Sequence, residues 1–107
     1  YNTYAVSSIS AAATAAGNPQ WGQAGGPDNA GKTYYYIDKS STPFFVSGEP
    51  NNYESAYGRF YLNWYFDSLL AHGRRVLGVA QQAIGNKAQL MGKVAGIHWW
   101  YKTPSHA

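Results

Sequence analysis

The sequence predicts an α/β fold from two helical patterns and one short apolar segment. Positions 1–16 are rich in Ala, the best helix former, and positions 56–84 carry a long amphipathic pattern. In positions 87–99, which follow, apolar residues stand at both odd and even positions, which is typical of a strand buried on both faces. A long helix followed by such a strand is half of a βαβ unit.

The first helix is predicted over positions 1–16, where apolar residues recur with the helical period. The apolar residues close to this spacing are Tyr1, Tyr4, Ala5, Ile9, Ala12, Ala13 and Ala16. The run Gly17-Asn18-Pro19 predicts the end of this helix, because Gly suits a left-handed cap and Pro cannot continue a helix.

Positions 20–50 are predicted to be mostly loop, because Gly and Pro interrupt them repeatedly. Two short apolar pieces, 34–37 and 44–46, are the candidate anchors of this loop. A loop of this length is unusual in a compact domain, so it is either functional or a decorated surface connection.

The second helix is predicted over positions 56–84 and carries the strongest amphipathic signal. One face, called here the apolar stripe, consists of Leu62, Tyr65, Phe66, Leu69, Gly73, Val76, Leu77, Ala80 and Ile84. Gly73 and Gly78 predict a kink or a tight helix contact, since Gly otherwise weakens a helix. Gly85-Asn86 predicts the end of the helix.

Composition limits the class of protein. With 107 residues the chain holds one domain at most. Its net charge is +3, and its 8 basic residues are scattered along the sequence. Nucleic-acid binding usually needs a basic cluster, and Arg74-Arg75 is the only adjacent basic pair in the sequence. We therefore expect no nucleic-acid partner.

Other classes are limited in the same way. With 0 Cys, neither disulfides, Cys-based zinc sites nor thiol nucleophiles are available. No apolar run approaches the roughly 20 residues of a membrane span, so we expect no membrane partner.

The predicted strand cannot satisfy its own backbone groups or cover its own two faces. The sequence also begins with Tyr1 rather than Met. We therefore expect a piece of a larger α/β protein.

The candidate site residues lie at the end of the predicted strand. His98 follows its apolar part, and the carboxyl ends of parallel strands are where α/β proteins place functional groups. Lys93 falls within the strand, where a buried charge requires an acidic partner or a polar cavity. The two residues are five apart, so they share a pocket only if the strand breaks, and Gly96 is placed to break it.

Each of these residues also has a structural interpretation. Lys93 could form a structural ion pair. The flat faces of Trp99 and Trp100 suit the apolar faces of pyranose rings, but both residues could instead be core anchors beneath a loop. His72 is more typical of a structural residue within the helix. The carboxylates are Asp28, Asp38, Glu49, Glu54 and Asp67. None of them forms a convincing pair for general acid–base chemistry.

The order of these segments resembles one known family. The run GRFYLNWYFDSLLAHG, a helix rich in Ala, Gln and Val, and then KVAGIHWWYKTPSHA are similar to the β-amylases of plants and algae. The resemblance extends to YNTY, AAGNPQWG and DNAGKTY near the start and is weakest over positions 42–52. It therefore covers nearly the whole chain, and GIHWWYK is its most specific motif.

The resemblance implies a (β/α)8 TIM barrel, an α/β fold. Positions 1–107 would be part of the catalytic domain, incomplete at both ends: a helix, a long loop excursion, a long helix and the fifth barrel strand. The implied reaction is inverting hydrolysis of α-1,4-glucosidic bonds in starch-like glucans, releasing β-maltose from non-reducing ends. Lys93 and His98 correspond to the family's residues that bind glucose hydroxyls.

The resemblance also implies what this segment does not carry. The family's catalytic acid would lie before position 1 and its catalytic base after position 107, so the segment alone is expected to be inactive. No cofactor or metal is expected, the substrate is starch or a maltooligosaccharide, and the oligomeric state stays open. A cytoplasmic or plastid location is compatible with the family.

Two alternatives to a β-amylase segment remain open from the sequence. The first is a non-catalytic glucan-sensing or regulatory protein built on the same barrel. The second is a free-standing aromatic carbohydrate-binding module, which would require that the 107 residues fold and bind glucan by themselves.

Overall fold

The computed structural model describes residues 3–23 and 43–94. Two α-helices dominate these ranges: α1, Thr3–Ala15, and α2, Ala56–Ile84. Two short 3-10 helices, Pro19–Gly22 and Pro43–Phe45, lie between them in the sequence. Within the described ranges there is no β-strand. The chain divides into two compact units, Tyr1–Trp64 and Tyr65–Ala107, with the boundary inside α2.

The first helix and its end agree with the sequence prediction. At its carboxyl end Gly17 adopts a φ of 75°. The amide of Gly17 donates to the carbonyl of Thr14 at 3.0 Å, and the amide of Asn18 donates to that of Ala13 at 2.9 Å. These two bonds form a Schellman motif, which satisfies carbonyls that the helix itself leaves without partners.

The second helix has the predicted bounds. At its start the Ser55 hydroxyl accepts a hydrogen bond from the amide of Gly58 at 2.9 Å, so Ser55 is the N-cap. At its end Gly85 has a φ of 59°, and its amide donates to the carbonyl of Gln81 at 2.8 Å. That single bond is the simple left-handed cap, as Gly85 and Asn86 predict.

The buried core of the first unit is small and aromatic. Ile9 from α1, Phe44 from the second 3-10 helix and Tyr61 from α2 form its centre. The half-buried residues packed around it are Phe45, Tyr53, Tyr57, Phe60 and Trp64. Phe44 therefore anchors the 44–46 piece, as predicted. The 34–37 piece lies outside the described residues.

Hydrogen bonds and ring contacts hold α1 and α2 in this unit. The indole N–H of Trp64 donates to the hydroxyl of Ser8 at 3.1 Å. Trp21, from the 3-10 helix after α1, contacts Phe60 with ring centroids 5.2 Å apart. The Ser10 hydroxyl donates to the carbonyl of Gly22 at 3.3 Å, which ties that 3-10 helix to α1.

Most of the apolar stripe of α2 is exposed rather than buried. The exposed members are Leu62, Tyr65, Phe66, Leu69, Val76 and Leu77. Gly73 and Gly78 have open space where a Cβ would stand, so neither marks a tight contact among the described residues. Both lie within the single continuous helix α2.

Candidate functional site

The segment that carries the candidate site begins where α2 ends. The chain turns at Gly85 and Asn86 and bends through residues 87–88, and residues 89–94 have no regular structure. The predicted strand is not formed in residues 87–94 of this chain, where Met91 and Val94 are 86% and 87% exposed. A strand needs a neighbouring strand to pair its backbone groups, and the described ranges contain none.

Lys93 is exposed in this segment. The expectation that it is buried, and so requires an acidic partner or a polar cavity, is therefore wrong for this chain. Its ammonium group can stay hydrated on its flexible side chain, which lowers the cost of keeping the charge. An exposed lysine can donate up to three hydrogen bonds to an approaching ligand.

The second candidate, His98, lies outside the described residues. The same holds for Gly96, where a break in the strand was predicted, and for the aromatic residues Trp99 and Trp100. Of the predicted site, the structure therefore places only Lys93. The assignment of Lys93 and His98 to one sugar-binding pocket stays a prediction.

Three of the five carboxylates are described, and all three are exposed: Glu49, Glu54 and Asp67. Glu54 is engaged locally, since its carboxylate accepts hydrogen bonds from the Ser47 hydroxyl at 2.9 Å and the Tyr53 hydroxyl at 3.2 Å. These bonds give Glu54 a role in ordering the chain before α2. Asp28 and Asp38 lie outside the described residues.

A buried polar residue next to Glu54 was not singled out from the sequence. Asn52 is 5% exposed, and its side-chain carbonyl accepts bonds from the amides of Glu54 and Ser55 at 3.0 and 2.9 Å. Its side-chain amide donates to the carbonyl of Val46 at 3.0 Å. The sequence signal for this cluster is an Asn three residues before the Ser that caps the helix. Asn side chains readily form hydrogen bonds with the backbone of the residues that follow them.

Tyr53, beside Asn52, has an altered acidity. Desolvation raises the pKa of the Tyr53 phenol above its ordinary value, and the hydrogen bond to Glu54 and the negative charge of Glu54 raise it further. All three effects favour the neutral phenol, because a phenolate would be poorly solvated, could not donate the hydrogen bond to Glu54 and would lie beside a second negative charge. At neutral pH this phenol therefore acts as a hydrogen-bond donor.

A shallow surface depression lies on the exposed part of α2. It is lined by His72, Arg75, Val76 and Val79. All four residues come from one helix, so the depression is open. Its lining is mainly apolar. Its form gives no support for a role of His72 in chemistry.

Residues 3–23 and 43–94 contain no group of three or more His, Cys, Asp or Glu side chains that could hold a metal ion. Within the same ranges, no helix has the length and apolar character needed to cross a membrane.

Comparison with known families decides the affiliation of the chain. The family model described as glycosyl hydrolase family 14 matches residues 1–107. The chain belongs to glycosyl hydrolase family 14. This family has the TIM-barrel fold, so the membership of the chain in an α/β barrel protein rests on the family. The resemblance to β-amylases described above is confirmed.

Curated relatives agree with the family. The chain is 45% identical over 107 residues to "Beta-amylase 2, chloroplastic" of Arabidopsis thaliana, covering 100% of the chain and 18% of the relative. It is 43% identical over 108 residues to "Beta-amylase" of Medicago sativa and to "Beta-amylase" of Glycine max, covering 100% of the chain and 20% of each relative. The chain thus spans about a fifth of the length of these relatives.

Proposed function

We propose that the chain is a segment of a β-amylase that hydrolyses α-1,4-glucosidic bonds of starch-like polysaccharides. The enzyme would act from non-reducing ends and release β-maltose with inversion at the anomeric carbon. One observation carries the proposal: the model of a glycosidase family matches residues 1–107. Relatives named as β-amylases, 38–45% identical over essentially the whole chain, support it.

In this proposal, positions 1–107 form part of a (β/α)8 barrel catalytic domain. The chain supplies α1, the long excursion after it, α2 and then the fifth barrel strand, which begins within the segment after Gly85. The exposed apolar stripe of α2 supports this placement. In α/β barrels each helix packs an apolar face against the strands, and the stripe provides such a face.

The fifth strand would form only beside its neighbours in the barrel. Residues 89–94 have no regular structure here but carry apolar side chains on both parities, as a barrel strand requires. Pairing with strands on either side would satisfy their backbone groups and cover Met91 and Val94. The irregular form seen in this chain is consistent with a strand whose partners come from other parts of a longer protein.

Lys93 and His98 are proposed to hold glucose hydroxyl groups at the carboxyl end of this strand. The ammonium of Lys93 donates to sugar oxygens, and the imidazole of His98 can donate or accept. The proposal assigns neither residue a part in proton transfer. Two glutamic acids from other parts of the longer protein would provide the acid and the base, since inverting glycosidases use one carboxyl group for each task.

The first test requires the complete open reading frame that contains this chain. The encoded protein is expressed and incubated with soluble starch, and the anomeric form of the released maltose is followed by NMR or polarimetry. Release of β-maltose from chain ends supports the proposal. A complete protein that binds glucan without releasing maltose would identify it instead as a glucan-sensing or regulatory protein.

The second test concerns Lys93 and His98 in that complete protein. Lys93→Ala should lower kcat/KM for maltooligosaccharides by about 10- to 100-fold, and His98→Ala by about 2- to 10-fold, the effect of losing an ordinary hydrogen bond. A hydrogen bond to a charged group is worth about 1.5–3 kcal/mol, and each 1.4 kcal/mol is about tenfold. Lys87→Ala and His72→Gln are the matched controls, because Lys87 and His72 are exposed and have no proposed part in the site.

The two sets of variants separate a site role from a general one. Unchanged thermal stability with a raised KM for Lys93→Ala, and little effect of Lys87→Ala, is the expected pattern. If both lysine variants lower kcat/KM equally, the assignment of Lys93 to sugar binding is wrong, even if the protein is a β-amylase.

A further inference from the structure

We draw no further inference here: the strongest candidate, the apolar stripe of α2 that is exposed from Leu62 to Leu77, belongs to the barrel packing already proposed, and nothing in the described residues shows any other occupant.

Discussion

The first turns of α2 and the rest of the same helix have similar apolar content but different burial. From Ala56 to Trp64 the helix contributes the buried residues Gly58 and Tyr61 and several half-buried aromatic residues to the core of the first unit. From Tyr65 to Leu77 most apolar side chains of α2 are exposed, and Phe66 reaches 61%. Both parts are regular helix, so burial does not decide which residues become helical here.

The difference shows that helix formation and burial depend on different information. The helix is specified by local features: residue propensities, the Ser55 cap and the Gly85 stop. Burial requires a second surface, and within the described residues α1 and the 43–55 connection supply one to the first turns of α2. The chain thus provides its own partner for one part of α2.

The largest expected effect on stability comes from comparing two aromatic residues of α2. Tyr61 is 7% exposed and its ring centroid lies 5.8 Å from that of Phe44, whereas Phe66 is 61% exposed. Tyr61→Ala should lower the free energy of unfolding of the 107-residue chain by about 3–5 kcal/mol, the usual cost of truncating a buried aromatic residue. Phe66→Ala should change it by about 0.5 kcal/mol or less. Urea unfolding followed by circular dichroism measures both.

The same pair of variants tests the barrel packing in the complete protein. There Phe66→Ala should also become costly, because the proposed barrel covers the stripe. If Phe66→Ala is as costly as Tyr61→Ala in the 107-residue chain, the two parts of α2 do not differ in the way described. If it stays neutral in the complete protein, the stripe is not the packed face of the helix.

A smaller loss is expected when the polar support of the helix start is removed. Asn52→Ala leaves the amides of Glu54 and Ser55 and the carbonyl of Val46 without their side-chain partner. Because unsatisfied buried polar groups are costly, the free energy of unfolding should fall by about 2–3 kcal/mol. Asn63→Ala, an exposed position on α2, is the control and should change stability by about 0.5 kcal/mol or less. Equal effects would mean that Asn52 does not hold the helix start.

Two glycines of α2 should respond to the same substitution with opposite signs. A Cβ at Gly58 would meet the backbone of Asn52 and lie 2.5 Å from the Cα of Tyr53, so Gly58→Ala should cost about 1–3 kcal/mol. A Cβ at Gly73 meets nothing within 4 Å, so Gly73→Ala should gain up to about 1 kcal/mol from helix propensity. Thermal unfolding of both variants checks the signs. A loss at Gly73 in the complete protein would reveal a neighbour that approaches the helix there.

The parts of the fold that the sequence predicts correctly are those with local causes. The bounds of α2 and the stops at Gly17 and Gly85 follow from caps and propensities within a few residues of each position. Phe44 could be recognised as an anchor because it is apolar within a polar loop. The Asn52 cluster, although local, was missed, since its bonds depend on a turn conformation that composition alone does not indicate.

The parts that the sequence predicts incorrectly have non-local causes. The apolar pattern of residues 87–94 specifies side chains that suit a two-sided strand, but the strand itself requires hydrogen bonds from neighbours. Lys93 was expected to be buried for the same reason and is exposed. The sugar-binding role of Lys93 and His98 came from resemblance to a family, because spacing alone places the two side chains on opposite faces of a regular strand.

The smallest expected effect concerns the pH dependence of the packed region. The pKa of Tyr53 is raised above 10.0 in the folded chain, so between its unfolded and folded values the folded state holds more protons than the unfolded state. Stability from this residue is therefore fully present below pH 10.0 and is lost as the pH rises through the folded pKa. Tyr53→Phe should remove this contribution, so that its stability falls less steeply than that of the unchanged chain above pH 10.0.

Glu54→Gln separates the two origins of the Tyr53 shift. It removes the negative charge but leaves the ring of Tyr53 in its half-buried position, so the pKa should move back only part of the way. NMR titration of the Tyr53 ring measures the pKa directly, and urea unfolding across the alkaline range measures the slope. Parallel stability curves for the unchanged chain and Tyr53→Phe would show that the Tyr53–Glu54 pair does not persist in solution. The connection before α2 would then be less ordered than its hydrogen bonds indicate, and the contrast between the two parts of the helix would be weaker.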